Sequence, residues 1–276
     1  MASREAPLPP IVAPEDVPDD VVLADVRWYL DGRSGRAAYE AGHLPGAVFV
    51  DLDAWLSGDP AAGGGRHPLP APETFARGMA QLGIGDEHRV VAYDDAGGVI
   101  AARLVWMLRA TGHDAALLDG GLAAHEGPLD TAEPRRPAAT FTPRPWPAEL
   151  LADVEDATDR RNVVLDARPA DRYRGAPDPH DPRAGHIPGA RSLPCREHLG
   201  ADGRLRSPQA LRSRFAAVGV TGEEPVVSSC GSGVTACHTL LVMEHVGLGR
   251  GRLYAGSWSA YSREPGRPVA TGDAPG

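Results

Sequence analysis

A chain of 276 residues with 42% apolar and 24% charged side chains can bury a large core, and its composition is that of a folded globular protein. Its 28 basic residues are all arginine and stand against 37 acidic ones, a net charge of −9 that argues against nonspecific nucleic-acid binding. The absence of lysine excludes Schiff-base enzymes, lysine-anchored pyridoxal phosphate and the phosphate-binding P-loop. Three cysteines, Cys195, Cys230 and Cys237, are too few and too irregularly spaced for a disulfide scaffold or a zinc site. The opening MASREAPLPPIVAPED lacks the basic end and apolar run of a signal peptide. No apolar run reaches the roughly 18–20 residues of a membrane span. The expected setting is the reducing cytoplasm, without a membrane partner.

In chain order, Val21–Leu23 reads as a short apolar strand running into Asp25, followed by the turn Ala41-Gly42-His43-Leu44-Pro45-Gly46-Ala47. Val90–Ala92 is the next strand, Ala101–Ala110 a helix stopped by Gly112, and LLDGGL (117–122) a turn. The same blocks then return. Val163–Leu165 runs into Asp166, and Ala184-Gly185-His186-Ile187-Pro188-Gly189-Ala190 repeats the turn 143 positions later. Val226–Ser228 is again a strand, Val234–Val246 a helix stopped by Gly247, and LYAGSW (253–258) a turn. Conserved block order and spacing imply a domain-sized duplication. Uniformly apolar strands alternating with helices point to α/β layering around a mainly parallel sheet. Prolines 134, 137, 143, 145 and 147 make the segment between the copies a stiff extended spacer. The expected layout is an N-terminal copy over 1–132, a linker over 133–148 and a C-terminal copy over 149–276.

The chemistry concentrates in Cys230-Gly231-Ser232-Gly233-Val234-Thr235-Ala236, between a strand and an apolar helix. Gly231 and Gly233 let the backbone curl, so that N–H groups of the stretch through Val234 and Thr235 face the sulfur. The helix adds its positive end. Both effects favour the thiolate, the nucleophilic form of cysteine. Cys195 and Cys237 read as packing residues. His43, His186, Asp25 and Asp166 occur in both copies and read as braces of turn structure, as do Gly120 and Gly256.

The duplication, the repeated AGH[LI]PGA block and the CGSGVTA loop resemble tandem-domain rhodaneses, and the loop is most similar to that of the 3-mercaptopyruvate sulfurtransferases. The resemblance implies two rhodanese-like α/β domains, an inactive first copy in which Asp94 stands at the cysteine position, and a catalytic second copy. It implies transfer of sulfur from 3-mercaptopyruvate through a Cys230 persulfide to a thiol, thioredoxin or cyanide, with release of pyruvate and no cofactor. Ser232, His67 and Asp53 match the family's proton relay, with Asp51 near enough to be the alternative carboxylate. Arg172 matches an arginine that pairs the keto acid's carboxylate, as a planar guanidinium can. The family's second arginine falls at His180, which leaves three readings: His180 as a weaker donor, Arg183 as a substitute, or a different donor.

Ala236 stands where a cysteine phosphatase on this fold needs arginine, which argues against phosphatase chemistry. Gly231 and Ser232 are neutral where thiosulfate-preferring relatives carry cations. Thiosulfate:cyanide sulfur transfer is the runner-up. A non-catalytic persulfide carrier or partner-binding module needs only the cysteine and leaves the relay unexplained.

Overall fold

The computed structural model describes residues 6–276. The reading of the extreme N-terminus rests partly on residues 1–5, which lie outside the described residues. No helix among those described is long and apolar enough to cross a membrane.

The N-terminal unit contains β1 (Ile11–Val12), β2 (Val21–Asp25), α1 (Gly35–Ala41), β3 (Val48–Phe49), α2 (Pro72–Gln81), β4 (Arg89–Tyr93), α3 (Ala102–Ala110) and β5 (Ala115–Leu118). Its five strands are all parallel, in the order β1-β5-β4-β2-β3. The C-terminal unit contains α4 (Val154–Thr158), β6 (Val163–Asp166), α5 (Ala170–Arg174), β7 (Arg191–Ser192), α6 (Pro208–Ala217), β8 (Val226–Ser229), α7 (Thr235–His245), β9 (Arg252–Leu253) and α8 (Ser257–Tyr261). Its order is β7-β6-β8-β9, again all parallel. A one-residue parallel bridge from Leu151 to Leu253 takes the place that the Ile11–Leu117 pair of β1 and β5 holds in the first sheet.

The architecture is therefore α/β and duplicated, with helices around each sheet. Helices cover both faces of a parallel sheet, so its inner strands must be apolar throughout. Accordingly β4 is buried from Val90 to Tyr93, and β8 along its whole length.

The repeated turn blocks do the same structural work in each copy. Arg27 forks onto Asp25 and donates to the Gly42 carbonyl; Arg168 forks onto Asp166 and donates to the Gly185 carbonyl. His43 stacks on Tyr39 with ring centroids 3.8 Å apart, and His186 on Tyr173 at 3.6 Å. Both imidazoles are buried, and both bond through Nδ1 to the carbonyl of the tyrosine beneath.

α3 and α7, each almost wholly buried, pack on one another across the boundary and merge the two units into one core. Burying large apolar side chains such as Leu104, Met107, Leu240 and Met243 contributes roughly 1.5–3 kcal/mol apiece. Gly112 and Gly247 end these helices in the left-handed conformation, at φ +80° and +78°.

The proline-rich segment before Ala148 is extended, but it is no free spacer. Phe141 is buried against Phe75, Thr142 bonds to Asp86, and the Trp146 indole donates to the Pro70 carbonyl. The segment straps the N-terminal unit from outside.

Candidate active site

Strand β8 delivers Cys230 to the seam between the units. The thiol is buried, the Gly233 N–H donates to its sulfur at 3.1 Å, and its own N–H donates to Ser257 Oγ at 3.0 Å. Gly233 is needed for two reasons: its φ is +79°, and a Cβ there would stand 2.5 Å from the Ala255 carbonyl oxygen. Gly231 offers its carbonyl to the Ser259 N–H at 2.8 Å. Val234 precedes α7 in helical conformation, with no side chain capping the helix. Thr235 opens α7.

The first copy shows what such a loop is built to hold. Asp94 is fully buried, and each of its carboxylate oxygens accepts two backbone N–H bonds: Oδ1 from Ala96 and Gly98, Oδ2 from Ile100 and Ala101. Burial raises its pKa, while the four N–H groups pull the other way. In this copy a side chain fills an anion cradle at the helix start. In the second copy Cys230 replaces that side chain, and of the expected inward-facing N–H groups only that of Gly233 bonds to the sulfur.

The turn after the fifth strand differs in the same sense. Gly121 is left-handed at φ +55°; its counterpart Ser257 holds φ +49°, the one left-handed non-glycine among the described residues. Ser257 accepts that strain while placing a hydroxyl 4.0 Å from the Cys230 sulfur.

Three side chains converge on the loop from the N-terminal unit. His67 is buried, with Nδ1 2.8 Å from Ser232 Oγ and Nε2 3.6 Å from Asp53 Oδ1. Asp53 also accepts the Trp28 indole N–H at 3.0 Å, and the Trp28 ring meets His67 edge-on. Asp51 is turned elsewhere, capping the short π-helical turn Leu52–Leu56 through the N–H groups of Asp53 and Ala54. Burial, with the nearby cations of Arg103 and Arg66, pushes the His67 pKa down to about 4. The imidazole is therefore neutral near pH 7, with one nitrogen free to accept a proton.

Arg103 of α3 is completely buried and donates to the carbonyls of Leu56, His67 and Gly233 at 3.3, 3.1 and 3.0 Å. It ties the histidine loop to the cysteine loop through backbone alone.

The other sequence candidates fall in different places. Arg172 forms an ion pair with Asp178. Arg183 gives its guanidinium to four carbonyls, those of Tyr261, Ser262, Glu264 and Arg267, and so braces the C-terminal segment. His180 uses its N–H on Asp178 and its carbonyl on Arg66. Its side chain lines a cleft of about 460 Å³, together with Trp28, Asp53, Arg66 and His67. Cys195 and Cys237 are fully enclosed, and burial pushes both thiols up to about 12. Cys237 donates to the Gly233 carbonyl.

Trp28, Arg103 and Ser257 carry no sequence signal that separates them from packing residues. Arg66 carries none either, although it stands next to His67 in the chain. Its guanidinium brings a cation to a loop whose own Gly231 and Ser232 are neutral: a Cβ at position 231 would lie only 2.9 Å from Arg66 Nη2. Gly65 permits this approach, since a Cβ there would press on the Gly256 carbonyl oxygen at 2.7 Å.

Comparison with known proteins agrees with the duplicated fold. The rhodanese-like domain model matches residues 15–126 and again 147–264. A Pseudomonas aeruginosa protein named as a probable 3-mercaptopyruvate sulfurtransferase is 41% identical, over 92% of this chain and 93% of its own. A Mycobacterium tuberculosis protein carrying a thiosulfate sulfurtransferase name is 38% identical, over 93% of each. The solved 3-mercaptopyruvate sulfurtransferase of Leishmania major superposes with a TM-score of 0.83 at 34% identity, covering 94% of this chain and 76% of that one.

Proposed function

The chain belongs to the rhodanese-like family and is a sulfurtransferase, and we propose that its donor is 3-mercaptopyruvate and its sulfur carrier Cys230. The observation that carries this reading is the Ser232–His67–Asp53 alignment beside the cysteine loop. A keto-acid donor needs a proton delivered to carbon, which a hydroxyl oriented by a histidine and a carboxylate can manage.

In the proposed step the Cys230 thiolate attacks the donor sulfur and the carbon–sulfur bond breaks. Its electron pair leaves on the three-carbon fragment as the enolate of pyruvate. The donor's thiol proton passes through Ser232 and His67 to the enolate carbon, so pyruvate departs with protons balanced. The Gly233 N–H stabilises negative charge on sulfur as an oxyanion hole does on oxygen. A second nucleophile, a small thiol, thioredoxin or cyanide, then takes the outer sulfur and restores the thiolate.

In this reading residues 1–132 carry no nucleophile and supply His67 and Asp53, 133–148 link the units while running along the N-terminal one, and 149–276 hold the catalytic cysteine. Arg172 would be freed from Asp178 to meet the donor carboxylate, and the cytoplasm would supply the reducing acceptors. Thiosulfate is the second reading, favoured by the Arg66 cation beside position 231. Mixing the protein with mercaptopyruvate and no acceptor should add one sulfur, about 32 Da, to the Cys230 peptide. One equivalent of pyruvate should appear with it, and Cys230→Ser should show neither product. An adduct on Cys195 or Cys237 would overturn the assignment.

A further inference from the structure

We propose that Arg103 is the counter-charge of the Cys230 loop: a buried guanidinium on the first unit that favours the anionic form of the sulfur on the second. The inference deepens the reading of Cys230 as the sulfur carrier and rests on it.

The need for such a charge shows when the two copies are compared. The Asp94 carboxylate collects four backbone N–H bonds, whereas the Cys230 sulfur receives one, from Gly233. An anion at position 230 is therefore held by less of its own loop than the anion at position 94. Cys230 is also buried, and a buried charge is costly unless an opposite one offsets it.

Arg103 presents the complementary problem. It is completely buried, its acceptors are the carbonyls of Leu56, His67 and Gly233, and no carboxylate pairs with it among the described residues. It is the second residue of α3, at the end of a helix where the backbone dipole disfavours a cation. The loop it touches supplies the missing anion. Gly233 accepts from Arg103 Nη1 through its carbonyl at 3.0 Å and donates its N–H to the Cys230 sulfur at 3.1 Å. One residue thus separates guanidinium from sulfur, which places them within roughly 10 Å by standard backbone dimensions.

The other groups around the loop leave this role open. His67 is neutral, Cys195 and Cys237 are protonated thiols, Arg66 is paired with Asp181, and Arg168 is forked on Asp166. The Arg103 charge is felt on both sides of Gly233, since it pulls down the pKa values of His67 and Cys237. The duplication supplies an internal control. Counted back from Gly112 and Gly247, which stop α3 and α7, the residue equivalent to Arg103 is His238. That side chain is buried, neutral near pH 7 and without a hydrogen-bond partner. Of this pair, the cation stands on the helix that reaches the nucleophile.

Alkylation of Cys230 by iodoacetamide, followed on the Cys230 peptide from about pH 5 to 10, reads the thiolate without donor or acceptor. Arg103→Gln keeps an amide donor and removes the charge. Its alkylation midpoint should rise by about one pH unit, a roughly tenfold loss of thiolate on the acid side. Arg103→Lys keeps the charge and loses the planar fork, so its midpoint should stay near that of the wild type although stability is not restored. An unshifted midpoint in Arg103→Gln overturns the proposal. An equal rise in both variants also overturns it, because the fork and not the charge would then be the cause. Should Arg103→Gln fail to fold, the Arg103→Lys midpoint decides, a rise of about one unit being the contrary result. A midpoint that shifts as expected, with the donor's sulfur recovered on Cys195 or Cys237, keeps the counter-charge and sinks the carrier reading.

Discussion

His67 Nδ1 and Ser232 Oγ stand 2.8 Å apart although 165 positions of chain separate them. The contact exists only because the duplicated units share one core along α3 and α7, so neither unit alone contains the relay. If the two residues act as one device, Ser232→Ala and His67→Ala should each lower kcat for mercaptopyruvate by about a hundredfold or more. The double variant should be little slower than either single one, because members of a relay are not additive. Losses that multiply in steady-state kinetics would show two independent roles.

The lowered pKa of His67 makes a pH prediction. Burial and two neighbouring cations favour the neutral ring, so it remains a proton acceptor down to about pH 4. The kcat profile for mercaptopyruvate should therefore show no His67-dependent limb near 6.5, the ordinary histidine value. Arg66→Gln removes one of those cations and should move the acid limb upward. A limb near 6.5 in the wild type that vanishes in His67→Ala would contradict this.

Arg103 predicts a stability effect that does not discriminate between donors. Its three acceptors are backbone carbonyls, and among the described residues it forms no ion pair with a carboxylate. Arg103→Met leaves those carbonyls without their donor at a cost of roughly 1–3 kcal/mol each where they stay dry. Chemical denaturation should show the loss, and turnover of mercaptopyruvate and thiosulfate should fall together. Arg103→Lys should rescue little, because an ammonium cannot reproduce the planar fork.

Acid lability follows from a second histidine pair. His198 and His238 are buried with ring centroids 5.8 Å apart, and none of their four ring nitrogens has a hydrogen-bond partner. Burial takes His238 down to about 4 and His198 well below its ordinary value. Between about pH 6.5 and 4 the unfolded chain therefore binds protons that the folded chain refuses, and stability falls as pH drops. His238 alone accounts for about 3 kcal/mol across that window. Urea unfolding at a series of pH values should show the slope, and His238→Gln should flatten it. Equal slopes in the two proteins would mean that other groups govern acid unfolding.

Much of this was legible in the chain. The apolar strands, the two glycine-stopped helices and the repeated AGH[LI]PGA turns each follow from local pattern, since strand and helix burial write themselves as periodicity. Cys230 and Asp94 were readable as counterparts because the duplication aligns them. Arg66 was not, because its significance lies in the empty side-chain position at Gly231 on the other unit, and nothing local encodes that meeting. Arg183 shows the reverse case: a cation near a candidate anion site whose partners are backbone carbonyls, which sequence pattern does not reveal. Ser257 was hidden for a third reason. Its left-handed backbone is dictated by the turn geometry it shares with Gly121, while the residue type departs from what that geometry favours.

The most direct measurement compares Ser232→Ala with wild type on two donors under the same conditions, cyanide being the acceptor in both. Mercaptopyruvate requires a proton on carbon when its sulfur leaves, whereas sulfite departs from thiosulfate without one. The relay reading predicts a kcat loss of about a hundredfold or more with mercaptopyruvate and a much smaller loss with thiosulfate. Equal losses on the two donors would contradict it, as would a wild-type protein that uses thiosulfate efficiently and leaves mercaptopyruvate intact.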